Sequence, residues 1–293
     1  VIDVDEILKG IVQHIGSKEN HIENLTLEDE TVYKLKIDPV YLQNSKNAII
    51  GSIINIENIT EIVKLENMRR DFVANVSHEL KTPLTSINGF VETLIMNEDL
   101  QVSKRNRFLA IIQKESDRLK RLIEDILLLS SIENKNDLVK ESISLYDVFK
   151  EVYDMINYIA SSKNIDLSYE FEDDKVVVQG YGDYMKQLLL NLIDNAIKYT
   201  PNGGKVIVKQ FTKDNNIIIE VIDNGMGIPK EDQSKIFQRF YRVDKARSRS
   251  VGGTGLGLAI TKHIVNSLNG SISVESEFGE GSKFIVKLPK KIS

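Results

Sequence analysis

The chain has 293 residues, 41% of them hydrophobic and 28% charged, which suits two or more globular domains. A net charge of −5 argues against nucleic acid as a partner, and the absence of cysteine excludes disulfides, thiolate metal sites and cysteine nucleophiles. With four histidines, His14, His21, His78 and His263, a His-rich metal site is not expected.

No apolar run approaches the ~18–20 residues of a membrane-spanning helix. The chain starts at Val1 without a signal peptide, so the expectation is a soluble fragment of something longer. Val4, Ile7, Leu8, Ile11, Val12 and Ile15 recur at helical steps, and Gly16 supplies a stop. A polar stretch follows. Tyr33, Leu35 and Ile37 then alternate with Lys34, Lys36 and Asp38 as in a half-buried strand, and the Ile-rich run from Ala48 to Ile59 predicts another. So few elements make a small core. Asn58-Ile59-Thr60-Glu61 resembles the motif that ends the last strand of PAS sensor domains, with Asn where Asp is commoner. Residues 1–60 are therefore expected to be the C-terminal part of a PAS domain, an unrelated small α+β piece being the alternative. A ligand pocket would be incomplete in either case.

Leu65, Phe72, Val76, Leu80, Leu84, Ile87, Val91 and Leu94 share one helical face and predict a helix over about residues 62–97. His78 falls off that stripe and faces solvent. Pro83 removes the hydrogen bond to the Glu79 carbonyl and is expected to kink the helix. An imidazole is about half neutral near pH 6.5, so it can act as a nucleophile at neutral pH. Glu79 can hold its second ring nitrogen. By position alone, a lone histidine on a helix surface is far more often simply a solvated residue. Ser77-His78-Glu79-Leu80-Lys81-Thr82-Pro83-Leu84, preceded by Arg69-Arg70-Asp71-Phe72-Val73-Ala74-Asn75, resembles the phosphoacceptor box of bacterial two-component sensor histidine kinases, in the subgroup that includes phosphate-sensing and cell-wall-sensing members.

After a polar turn (Glu98 to Ser103), Phe108, Ile111, Ile112, Leu119, Leu122, Ile123, Ile126, Leu127 and Ser130 mark a second amphipathic helix. Two long helices make a hairpin, and their stripes are large enough to predict pairing of two copies in a dimeric four-helix bundle. The resemblance implies a dimerisation and phosphotransfer domain over residues 61–135. A polar linker, Glu133 to Asp137, follows, and the resemblance implies a catalytic ATP-binding domain at 136–293. There Ser144-Leu145-Tyr146-Asp147 resembles a capping box. Strands are expected at 165–171 and 175–179, a helix at 184–199, and hairpins pairing 205–211 with 217–222 and 271–274 with 283–288. Mixed helix and antiparallel strand read as one α/β sandwich. The fold class is thus multidomain α and α+β: a partial PAS piece, a helical hairpin, and an α/β sandwich.

In the 184–199 helix, Leu189, Leu192, Ile193, Ala196 and Ile197 make an apolar face, and Gln187, Asn191, Asn195 and Lys198 the opposite one. Amide oxygens one turn apart suit a hard cation and a lysine suits phosphate, although such a stripe is otherwise a solvated face. Asn191-Leu192-Ile193-Asp194-Asn195-Ala196-Ile197-Lys198-Tyr199 resembles the N box of the superfamily joining histidine kinases, Hsp90-type chaperones, DNA gyrase and mismatch-repair ATPases. Asp223-Asn224-Gly225-Met226-Gly227-Ile228-Pro229 reads as a sharp turn after a strand, with glycines for positive φ or close ligand approach. It resembles the G1 box, whose Asp, here Asp223, accepts from the adenine amino group. Gly252-Gly253-Thr254-Gly255-Leu256-Gly257-Leu258 opens a helix as a phosphate cradle and resembles the G2 box. Ile236 to Arg242 resembles the F box, and the basic stretch from Arg242 to Ser250 the ATP lid.

The resemblance, over residues 58–290, implies autophosphorylation of His78 from Mg-ATP and transfer to an aspartate on the receiver domain of a response regulator. It implies Asn195 and Asn191 on Mg²⁺, and Lys198, Tyr199 and Arg242 on the phosphates. Gly225, Gly227, Gly253, Thr254, Gly255, Leu256 and Gly257 would complete the nucleotide site. Glu79 would be the general base or orienting group. Glu79-x-x-Thr82 resembles a phosphatase motif in which Thr82 positions water against phospho-aspartate. The fragment would be the cytoplasmic portion of a membrane-anchored bacterial protein, meeting the membrane only through missing N-terminal segments. The competing readings are a conformational ATPase and a non-catalytic dimeric scaffold.

Overall fold

The computed structural model describes residues 4–42, 45–97, 99–133, 140–243 and 253–290. They fall into two compact units, residues 1–78 and 79–293.

In the first unit α1 (Val4–His14) lies against a meander of β1 (His21–Thr26), β2 (Val32–Leu42) and β3 (Ser45–Asn58), antiparallel in that order. Ile7, Leu27, Leu35 and Ile37 form the core. Gly16, at φ 82°, ends the α1 region as its sequence position predicts. The polar stretch after it is not a loop: it contains β1. The inward positions of this strand are His21, Glu23 and Leu25, while Ile22 points outward. That inverts the usual alternation and hides the strand from a hydrophobic-pattern reading. At the end of β3, Thr60 Oγ1 donates to Asn58 Oδ1 (2.6 Å) and accepts from the Val32 amide (2.9 Å). The Asn58–Thr60 pair thereby pins the start of α2 (Thr60–Met96) to β2.

Helix α2 runs unbroken through Pro83 for 37 residues. In the second unit its later part joins α3 (Val102–Glu133), with Phe90 and Phe108 in ring contact at 5.2 Å. Then follow β4 (Glu141–Ser144), α4 (Leu145–Ser162), β5 (Asp166–Phe171), β6 (Val177–Gly180), α5 (Gly182–Tyr199), β7 (Lys205–Lys213), β8 (Asn216–Asp223), α6 (Gly257–Ser267), β9 (Ser271–Glu277) and β10 (Gly281–Pro289). Five strands form one sheet in the order β5-β7-β8-β10-β9, and β4 pairs with β6. Ser144 caps α4 as expected, accepting from the Asp147 amide at 3.2 Å. Helices α4, α5 and α6 pack side by side and against the sheet. Met185, Leu188, Leu192 and Ile193 of α5 are completely buried there, each contributing about 1.5–3 kcal/mol.

Two expectations need correction. The main sheet is not wholly antiparallel, because β5 runs parallel to β7. The connection between them passes through β6 and α5, the long crossover that parallel neighbours require. Helix α3, expected to offer its apolar stripe to a second copy, also packs within its own chain. Leu122, Leu129 and Ile132 are buried, and α3 packs on α6. Ser130, read as part of the apolar stripe, is exposed. Most of the polar linker, residues 134–137, and the lid residues 244–250 lie outside the described residues.

Candidate nucleotide site

A cavity of about 550 Å³ opens within the second unit, walled by α3, α4, α5, the end of β8 and the turn that leads into α6. Its position follows from α5. Leu188, Leu189, Leu192, Ile193, Ala196 and Ile197 face the core, so the opposite stripe of Gln187, Asn191, Asn195 and Lys198 turns into the cavity. Gln187 Nε2 donates to Asn191 Oδ1 (2.9 Å), and Asn191 Nδ2 donates to the Gly257 carbonyl (3.0 Å). Asn191 thereby fastens α5 to the start of α6. Lys198 pairs with Asp194 one turn before it. Tyr199 also lines the cavity.

Asp223 ends β8 and is 8% exposed. Burial pushes its carboxyl above the ordinary value of 3.8, against the opposing pull of the Gly225 and Ser282 amides. The Gly225 amide donates to Oδ1 at 2.9 Å. The turn that follows needs its glycines for the backbone. A Cβ on Gly225 would stand 2.6 Å from the Tyr199 carbonyl oxygen. One on Gly227 (φ 67°) would stand 2.0 Å from that of Glu277. The close approach is therefore to the chain itself. Gly227 still lines the cavity, whereas Gly225 does not.

Gly253, Thr254, Gly255 and Gly257 line the cavity together, while the Leu256 side chain is fully buried in the core. The Gly255 carbonyl accepts from the Phe240 amide at 2.9 Å. Thr254 Oγ1 donates to Asp125 Oδ2 of α3 at 2.7 Å. Burial holds the Asp125 carboxyl above its usual range, opposed by the Thr254 hydroxyl and Lys198. Arg242 pairs with Glu79 at 3.2 Å, and the same Glu79 oxygen meets Arg118 at 2.9 Å. The carboxylate beside His78 in the sequence is thus held by two guanidinium groups. His78 is exposed on α2 and Thr82 is half-buried. Arg239 pairs with Glu133 and lies 3.3 Å from His263 Nε2. Burial and this cation hold His263 below 6.5.

The sequence reading missed the α3 and α4 walls: Arg121, Asp125, Leu128, Met155 and Ile159 also line the cavity. No local signal marked them. They sit on helices whose amphipathic patterns need no cavity to account for them.

Two families match parts of this chain. Residues 68–135 match the family of the His Kinase A (phospho-acceptor) domain. Residues 180–292 match that of the histidine kinase-, DNA gyrase B- and HSP90-like ATPase. The chain is 39% identical over 247 residues to the sensor protein kinase WalK of Staphylococcus aureus, covering 83% of this chain and 59% of that protein. It is 38% identical over 277 residues to the sensor histidine kinase WalK of Bacillus subtilis, covering 90% and 43% respectively. It thus spans about half the length of these curated relatives. Its fold is similar to that of histidine kinase ThkA, solved in complex with the response regulator protein TrrA. That match has a TM-score of 0.62 at 24% identity, over 99% of this chain and 83% of that one.

Proposed function

Since the chain belongs to the bacterial two-component sensor histidine kinases, we propose that it transfers the γ-phosphoryl group of ATP to His78 and from there to an aspartate of a response regulator. The observation that carries this reading is the cavity in which the α5 amides, Asp223 and the Gly253–Gly257 turn converge. Its volume suits a nucleotide, and its donors are sorted by chemistry. Asp223 is a buried acceptor for the adenine amino group. The glycine turn and the N-terminus of α6 offer backbone N–H groups to phosphate. Asn195 and Asn191 supply amide oxygens of the kind Mg²⁺ takes, although Asn191 Oδ1 already accepts from Gln187. Bound there, Mg²⁺ would neutralise phosphate charge. Lys198 and Arg242 would contact phosphate by exchanging Asp194 and Glu79 for it.

In the transfer, neutral His78 donates a ring-nitrogen lone pair to the γ-phosphorus as the bond to the leaving ADP oxygen breaks, so catalysis is chiefly positioning and charge neutralisation. Glu79 can act as base or orienting group once Arg242 releases it. Thr82 would position water for dephosphorylation of the regulator. Residues 1–60 would be the end of a PAS domain, 61–135 the phosphotransfer hairpin and 136–293 the catalytic domain. Exposed Leu84, Val91, Ile95, Leu109, Ile123 and Leu127 on the hairpin support a homodimer. Cytoplasmic placement below a membrane anchor rests on the family resemblance. Among the described residues, no helix is long and apolar enough to cross a membrane. The conformational ATPase leaves the phosphoacceptor box without a role.

The test is incubation with γ-labelled ATP and Mg²⁺. The expected label is acid-labile, alkali-stable and absent from His78→Gln. Nucleotide hydrolysis without label in either protein would refute the reading.

A further inference from the structure

The first unit holds a cluster that the kinase reading does not use. His14, in the last turn of α1, stacks on His21 of β1 with ring centroids 3.4 Å apart and planes 11° from parallel. Glu23 follows two residues along on the same inward face of β1. The helix can sit this close because Gly10 has no side chain: a Cβ there would lie 2.7 Å from Glu23 Oε1. His21 Nε2 lies 3.5 Å from Glu23 Oε2 without a hydrogen bond, and both His21 Nε2 and Glu23 Oε1 are buried with no partner. Buried polar atoms are normally satisfied, so two orphans on adjacent groups mark a site that is waiting for a cation or a proton.

One ligand atom from each of His14, His21 and Glu23 lies within 4.8 Å of the others. We propose that these three residues form a zinc site that clamps the end of α1 to β1. Two imidazole nitrogens and one carboxylate oxygen are a ligand set of borderline softness. They suit Zn²⁺ and leave a fourth position for water or another group. The in-plane lone pairs of parallel rings do not converge, so binding turns at least one imidazole out of the stack. Each imidazole would bind the ion through a ring nitrogen that carries no proton.

The experiment titrates the chelator-stripped full chain with zinc against a chromophoric indicator in excess Mg²⁺. One equivalent is expected per chain. Binding should weaken by at least about tenfold in His14→Ala and in Glu23→Gln, and be absent from the His14→Ala/His21→Ala pair. His78→Gln, which removes a histidine elsewhere, should bind as the wild type does. X-ray absorption of the zinc-loaded wild-type chain, which does not depend on the variants folding, should show two imidazole ligands. Absence of a bound equivalent at micromolar zinc overturns the proposal. So does full binding in the double variant, or a spectrum without imidazole.

Discussion

Glu79→Gln tests how the second unit is held together. The Glu79 carboxylate sits between Arg118 (2.9 Å) and Arg242 (3.2 Å), with side-chain exposures of 19%, 11% and 8% respectively. Neutralising it leaves two guanidinium groups facing each other with little water to screen them. Removing one member of a fully buried pair costs about 3–5 kcal/mol, and an exposed pair is worth about 0–1. The residual solvent contact here places the loss at about 2–4 kcal/mol. For a unit of this size that corresponds to a fall in melting temperature of roughly 4–16 °C. Thermal unfolding followed by circular dichroism measures it, at low and at high salt. Adding Arg118→Met should recover part of the loss, because the two effects share one ion pair. A Glu79→Gln melting temperature within about 1 °C of the wild type at both salt concentrations would refute the anchoring argument. If phosphoryl transfer collapsed in that variant without loss of stability, Glu79 would act in the chemistry instead.

Asp223→Asn should weaken ADP binding by roughly 10- to 150-fold, the effect of losing a hydrogen bond of about 1.5–3 kcal/mol to a charged acceptor. Isothermal titration tests this, and unchanged affinity would remove Asp223 from the adenine site. Asp125 has a folded-state carboxyl above the ordinary 3.8 because it is buried. The folded chain therefore holds more protons, and stability falls as pH rises from 3.8 through the folded value. Asp125→Asn should melt above the wild type at pH 7 and converge on it in acid. A variant destabilised at pH 7 but not in acid would show that the pairing of the carboxylate, rather than its burial, dominates.

Periodic patterns were legible because their causes are local. The alternation of buried and cavity-facing residues along α5 follows from 3.6 residues per turn, and Ser144 caps α4 through its own side chain. The glycine turns were also readable, although Gly225 and Gly227 answer to the carbonyls of Tyr199 and Glu277. Strand β1 was invisible because its polar residues point inward, and the four histidines gave no warning that two of them stack. By itself, the sequence determined the type of most elements, the cavity-facing stripe of α5 and the glycine turn before α6, since periodicity and turn chemistry are encoded within a few neighbours. Only the tertiary structure decided that β5 joins β7 in parallel, that Asp125 of α3 holds Thr254, and that Glu79 is shared by Arg118 and Arg242. Those contacts join residues far apart in the chain, and their partners are chosen by packing geometry, which no local pattern records.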